Sequence, residues 1–374
     1  MDQHAFRFGI EEEYFLADAD TGESPVSERA DRFHEAAPRL VEPASHEFLK
    51  GQVEVQTKPL TDFGDAHGSL RGMRRALSSL AAEHGLTLFA AGAHPLAKVR
   101  DQVASPDQRY RRLESELGVI AMRAMICATH IHVEAPEPGR RVELMNRLIP
   151  FLPLFYALSI SSPFWQGRDS GLKGIRLSAF AEWPRMGLPE IFANGEDYQR
   201  YVDLLVAADV VDDASFIWWH IRPSARFPTI ELRICDSCTR LDDLVSIAAL
   251  YRALVRCLAR RPDVNAKVGA VERGVCASNI WLVQQHGVEA RLIDVRRRAA
   301  IPVSQHLEEA VELTREDAEA LGCSEWTERA RTIVERGSSA DMQRAAFRDA
   351  TAHGSSVDDA MRAVVNMLGR ETAA

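Results

Sequence analysis

Four short segments of the chain alternate apolar and polar side chains with a period of two. They are Gly9-Ile10-Glu11-Glu12-Glu13-Tyr14, Val53-Glu54-Val55-Gln56-Thr57, Ala128-Thr129-His130-Ile131-His132-Val133 and Thr229-Ile230-Glu231-Leu232-Arg233-Ile234-Cys235. In a β-strand, successive side chains point to opposite faces. Glu11 and Glu13 therefore share one face and Glu12 takes the other. By the same rule Glu54 pairs with Gln56, His130 with His132, and Glu231 with Arg233, each opposite valine, isoleucine or leucine. Each strand offers one greasy face and one face of ligand-type residues.

The rest of the pattern predicts where these strands sit. Strands are expected at 5–18, 52–57, 87–91 and 126–134, with a further pair at 215–221 and 229–235 turning at Pro223-Ser224. Helical spacing covers 65–84, closed by Gly85, and also 113–119, 198–206 and 241–260. A helix over 140–160 carries a proline kink at Pro150 and Pro153. The stretch from 19 to 45 is polar and carries no predicted element, and 161–189 reads as loops. Beyond Pro262 the chain is mostly helical. Strands mix with helices without regular β-α-β alternation, which predicts an α+β fold with an antiparallel sheet covered by helices on one face. Residues 1–374 are read as a single catalytic domain with a mostly helical C-terminal part over about 262–374.

Composition narrows the function. The 374 residues are 46% hydrophobic and 26% charged, as expected of a globular, water-soluble chain. With 54 acids against 45 bases the net charge is −9, which argues against a nucleic-acid partner. Arg296-Arg297-Arg298 is read as a solvated turn. The N-terminal residues show no basic then apolar signal pattern. The apolar run 149–160 is too short to cross a membrane, so no membrane partner is expected and the location is read as cytoplasmic. The six scattered cysteines fit reduced thiols, and Cys235-Asp236-Ser237-Cys238 is read as two ordinary thiols near a strand end. The apolar helices leave room for a homodimer.

Each polar pair has a plain alternative. Two acids at i, i+2 often mark a solvated edge, two histidines a zinc pair or a satisfied core, and Glu231 with Arg233 a structural ion pair. Recurrence on four strands favours one shared polar site. Its donors are mostly carboxylates, from Glu11, Glu13, Glu54 and Glu231, with one or two imidazoles. Hard oxygen ligands suit Mg²⁺ or Mn²⁺, and clustered Mg²⁺ commonly bridges nucleotide phosphates. The chain has no P-loop motif, so metal would have to hold those phosphates. Arg176, Arg222 and Arg233 are candidates for a transferring phosphoryl group or an anionic substrate. A metal-dependent hydrolase using His130 and His132 is the rival reading.

In order along the chain, Gly9-Ile10-Glu11-Glu12-Glu13, Glu54-Val55-Gln56-Thr57, Gly92-Ala93-His94-Pro95, His130-Ile131-His132-Val133, Ser162-Pro163-Phe164-Trp165-Gln166-Gly167-Arg168-Asp169, Arg222-Pro223-Ser224 and Phe227-Pro228-Thr229-Ile230-Glu231-Leu232-Arg233 resemble the glutamate–cysteine ligase type 2 family of carboxylate–amine ligases. The resemblance implies a glutamine synthetase-like fold. It also implies ATP-dependent activation of a carboxylate to an acyl phosphate, then attack by an amine, the named reaction being γ-glutamylcysteine formation. By this analogy Glu11, Glu13, Glu54, His130 and Glu231 hold Mg²⁺, Arg233 faces the phosphoryl group or substrate carboxylate, and Arg176 holds substrate. His132, Gln56, Arg222 and Asn279 are expected at substrate or nucleotide. The family's glycines around its His-x-His strand are Ala128 and Glu134 here. Its basic positions near the conserved Asn279, Trp281 and Gly287 read Ile280, Leu282 and Gln285, which makes the amine and acid joined the open question.

Overall fold

The computed structural model describes residues 6–25, 27–135 and 137–374. Seven strands form one antiparallel sheet: β1 (Phe8–Asp18), β2 (Ser45–His46), β3 (Gln52–Gln56), β4 (Leu86–Phe89), β5 (Thr129–Glu134), β6 (Ile221–Pro223) and β7 (Thr229–Leu232). Their order is β6-β7-β5-β1-β3-β2, with β4 pairing the second half of β1. The four alternating segments are thus the four central neighbours of one sheet. Long β1 is shared along its length: residues 8–12 pair with β5 and 15–18 with β4, on the side opposite β3.

The greasy faces all turn the same way. Phe8, Ile10, Ile131, Val133, Ile230 and Leu232 are buried in one continuous core with the apolar helix Leu241–Arg260. Tyr14, Leu16, Val53 and Val55 pack on Leu77 and Leu80 of helix Phe63–Glu83. That helix opens with the Asp62 side chain accepting from the Asp65 backbone N–H, which satisfies one of the donors every helix start leaves free. It ends at Gly85, whose φ of +67° suits glycine. Burying each leucine or isoleucine of this layer is worth about 1.5–3 kcal/mol, so the pattern alone orients the sheet strongly.

Several elements differ from the sequence reading. The polar stretch 19–45 contains a helix, Ser27–Leu40, which buries Phe33 and Ala37 although its average character is polar. The segment expected as a strand at 215–221 is instead a helical turn, Ala214–Phe216, followed by Trp218–Trp219 pairing parallel with Met186–Gly187. Only Ile221–Pro223 pairs with β7, across a wider 224–228 turn. Helices at Ala270–His286, Val303–Ala320, Ser324–Arg336, Ser339–Ala352 and Val357–Ala373 follow the expected C-terminal pattern, interrupted by an unforeseen hairpin of Arg291–Asp294 and Ala299–Pro302. Arg296, Arg297 and Arg298 form its exposed turn. The last helix packs Met361, Val364 and Leu368 against Phe15 and Phe89 at the sheet's edge. Among the described residues no helix is long and apolar enough to cross a membrane.

Candidate active site

With the greasy faces covered, the polar faces of β1, β3, β5 and β7 form the floor of a cavity of about 380 Å³. Strand register sets the layout. Glu13 lies opposite Glu54, Glu11 opposite both Gln56 and His130, and Glu231 opposite both His132 and Arg222. Glu12, on the other face, is fully buried against Arg74, which also donates to the carbonyls of Thr239 and Cys238 at 2.7 Å. The Tyr14 hydroxyl donates to Glu12 at 2.7 Å. Glu12 is structural, and its neighbours Glu11 and Glu13 face the cavity.

The acids fall into two groups. In the first, donor atoms of Glu11, His132 and Glu231 lie within 4.8 Å of one another. In the second, carboxylate oxygens of Glu13, Glu47 and Glu54 do the same. His130 stands between them, with Nδ1 3.2 Å from Glu11 and Nε2 3.7 Å from Glu13. Both histidines thus flank the Glu11 carboxylate, His132 with its Nε2 3.3 Å away. Glu47 is the acid that sequence reasoning missed. It lies in an aperiodic stretch, and only the pairing of β2 with β3 carries it to Glu54.

The electrostatics of the two groups are opposite. Burial works against the charge of Glu11, but hydrogen bonds from His130 and His132 outweigh it and hold the carboxyl below its ordinary range. Burial likewise opposes Glu231, and Arg233 and Arg222 hold it well below. In the second group burial and the charge of Glu47 push Glu13 up to about 8. Burial and the same neighbour raise Glu54 well above its ordinary value, with Glu11 and Glu13 adding to the effect. Burial and then Arg233 push His130 down to about 4. Burial disfavours a charged His132, but Glu11 and Glu231 raise it overall. Three clustered carboxylates that repel one another suit a divalent ion with oxygen ligands, which would relieve both burial and repulsion. His132 Nε2, buried and 3.3 Å from a Glu11 carboxylate oxygen, adds a nitrogen ligand to the first group. The donor sets therefore fit Mg²⁺ or Mn²⁺ at both groups, on Glu11, His132 and Glu231 and on Glu13, Glu47 and Glu54.

The arginines are held in place before any ligand arrives. Arg222 clasps Glu231 in a bidentate pair at 2.8 and 3.1 Å and donates to the carbonyls of Ser215 and Ile217. Arg233 also pairs with Glu231, and its buried Nε has no partner. Arg176 lines the cavity, yet its terminal nitrogens donate to the carbonyls of Ile234 and Arg233, and Asp236 lies 3.5 Å away. It fixes the backbone of Arg233 more than it reaches outward. Asp236 in turn accepts from the Ser161 backbone and the Ser162 hydroxyl, and sits so close to Gly92 that a Cβ there would lie 2.4 Å from its carboxyl group. That close approach explains the glycine of the Gly92-Ala93-His94-Pro95 motif.

Gln56 lines the cavity, as expected, and is exposed. Asn279 is a correction: it lies on the helix Ala270–His286, outside the cavity, where its amide exchanges two hydrogen bonds with the Ile293 backbone of the hairpin. Its side chain pins two backbone groups and has no part in this site. Cys235 and Cys238 are both buried thiols. A second cavity of about 300 Å³ adjoins the first, sharing Glu11, Gln56 and His132 and walled by Gly9, Pro59, Phe227 and Pro228.

This antiparallel sheet with an acidic open face and a helix-covered back is a glutamine synthetase-like fold. A bifunctional glutathione synthetase from Pasteurella multocida superposes with a TM-score of 0.72 at 13% identity, over 99% of this chain and 53% of the other, so the chain spans about half of that protein. A glutamate–cysteine ligase from Francisella tularensis, solved in complex with AMP, gives 0.68 at 11% identity over 99% of this chain and 89% of the other. The chain belongs to glutamate–cysteine ligase family 2, whose model matches residues 7–365, a family of ATP-dependent ligases that form carbon–nitrogen bonds. Relatives provisionally named glutamate–cysteine ligase 2 include one from Bradyrhizobium sp. strain ORS 278, 43% identical over 92% of this chain and 84% of the relative. Another, from Rhodospirillum rubrum, is 41% identical over 100% of this chain and 97% of the relative.

Proposed function

We propose that the chain joins a carboxylate, the γ-carboxylate of glutamate, to an amine at the expense of ATP, through an acyl phosphate. The family name makes cysteine the first amine to test. The observation that carries this reading is the pair of acidic groups, Glu11–His132–Glu231 and Glu13–Glu47–Glu54, on one sheet face beside Arg222 and Arg233. Bound Mg²⁺ would neutralise phosphate charge there, which is the main requirement of phosphoryl transfer.

The chain's own residues supply position and charge. The apolar slot between Gly9, Pro59, Phe227 and Pro228 suits a nucleotide base, and it opens beside Glu11 and His132, where the phosphates then lie. Arg233, already oriented by Glu231 and by Arg176 beneath it, faces the oxygens that gain charge as the γ-phosphoryl group moves to the substrate carboxylate. Arg222 keeps Glu231 ionised and aimed. The amine then displaces phosphate.

The test is ADP release by the purified chain with glutamate, cysteine, ATP and Mg²⁺, with γ-glutamyl product identified by mass. Release that requires both substrates and Mg²⁺, and that Glu54→Gln abolishes, is the expected result. A folded, Mg²⁺-loaded protein that releases no ADP with any acid and amine pair overturns the reading.

A further inference from the structure

We infer that Arg226, on the 224–228 turn, is the cation that holds the non-transferred phosphates of the nucleotide. The inference rests on the nucleotide part of the ligase reading and adds a residue to it. The turn joins β6 to β7 and stands where the two cavities meet. Ser224, Ala225, Arg226 and Phe227 line the larger cavity, and Phe227, Pro228 and Thr229 line the slot. A nucleotide with its base in the slot passes this turn before its phosphates reach Glu11, His132 and Glu231. The Phe227 ring is 50% exposed and meets His132 edge-on at 5.9 Å, which leaves ring surface free for a base.

The turn is pinned although its tip is exposed. The Ser224 backbone N–H donates to the Thr229 carbonyl at 3.0 Å, and the Ser224 hydroxyl accepts from the backbone N–H groups of Arg226 and Phe227 at 3.3 and 3.2 Å. From outside the turn, Arg141 donates to the carbonyls of Ser224 and Phe227 at 3.0 and 3.1 Å, and the Ala135 N–H to the Pro228 carbonyl at 3.0 Å. These bonds fix the backbone from which the Arg226 side chain extends, so a ligand need order only the side chain. The other arginines lining the two cavities are engaged. Arg7 holds Glu134 through two bonds of 3.1 Å. Arg222 uses all three of its nitrogens on Glu231 and two carbonyls, and both terminal nitrogens of Arg176 donate to carbonyls. Arg233 is bound to Glu231. Among the described residues Arg226 has no side-chain hydrogen bond or ion pair, and no lysine lines either cavity. A free guanidinium on a fixed turn, between a base slot and a floor suited to Mg²⁺, matches the oxygens of a phosphate chain. The phosphates it would hold stay on the nucleotide throughout the reaction, so Arg226 binds substrate and transition state alike.

The test is calorimetric titration of the full chain with ADP and Mg²⁺, at low and high salt, beside the ADP-release assay. Arg226 is exposed, so its substitution leaves the fold intact. Arg226→Gln is expected to weaken ADP at least tenfold at low salt and to lose most of the salt dependence of binding, and Arg226→Lys to recover at least threefold of the loss. In turnover, Arg226→Gln should raise KM for ATP at least tenfold, while kcat and KM for glutamate change less than threefold. Unchanged ADP affinity, or a rise in KM for glutamate without one for ATP, overturns the inference and leaves the ligase reading intact. Arg226-dependent ADP binding in a chain that turns over no acid and amine pair supports the inference and overturns the ligase reading. A folded chain that binds neither ADP nor ATP overturns both.

Discussion

Glu12→Gln separates the two faces of β1 by experiment. Glu12 and Arg74 are 0% and 1% exposed, and the substitution leaves the Arg74 guanidinium buried with only the carbonyls of Thr239 and Cys238 as strong partners. Breaking a buried pair by removing one partner costs about 3–5 kcal/mol. At about 2.1 cal/mol/K per residue, unfolding this chain releases about 0.8 kcal/mol/K, so Tm should fall by about 4–6 °C. Below the transition, ATP turnover should stay within a factor of two of the parent, because Glu12 faces away from the cavity. The double variant Glu12→Leu, Arg74→Met should regain most of the lost stability, since apolar residues of similar volume often replace a buried pair at little cost. Calorimetry and ADP release on the same preparations check this. A Tm shift below about 1 °C, or turnover lost while the protein is folded, would refute the assignment of Glu12 to the structural face.

The acid groups and the base slot give the remaining predictions. Glu47→Gln should raise the Mg²⁺ concentration needed for half-maximal turnover and stabilise the metal-free protein, because it removes a repelling carboxylate; an unchanged Mg²⁺ requirement would exclude Glu47 from the metal-holding group. Burial and the charge of Glu47 raise Glu13 to about 8 in the fold, above its ordinary carboxylate value. Its contribution to stability is therefore present in acid and lost as pH rises through about 8. The Tm of metal-free protein should fall across that window, and added Mg²⁺ should restore it most at the alkaline end; a Mg²⁺ effect independent of pH would oppose this. At Gly9 a new Cβ would meet only Thr57 Oγ1, at 3.9 Å. Gly9→Val should thus fold normally, fill the apolar slot and raise KM for ATP about tenfold with little change in kcat, the signature of lost uniform binding. An unchanged KM for ATP would place the base elsewhere.

Alternation along single strands was enough to separate Glu11 and Glu13 from Glu12, to orient His130 with His132, and to set Glu231 beside Arg233. The reason is geometric: a strand turns successive side chains to opposite faces, and the cost of exposing valine and isoleucine decides which face is buried. The long apolar helix Leu241–Arg260 was legible for the same reason, its apolar residues being almost wholly buried. The helix Ser27–Leu40 was not, because its few buried residues, Phe33 and Ala37 among them, are diluted by polar neighbours.

What sequence could not supply was proximity across long separations. Glu47 carries no periodic signal, and it reaches Glu13 and Glu54 only because β2 adds to the sheet edge. Arg176 carries the right chemistry for a substrate contact, but the fold engages it with backbone carbonyls and Asp236. Asn279 was read in a motif and proved to tie a helix to a hairpin. The sequence by itself determined which residues share the polar face of the sheet, since that depends on neighbours one and two positions away. The tertiary structure decided how those residues divide into two acidic groups and which arginines are engaged, since each depends on side chains brought together from distant parts of the chain.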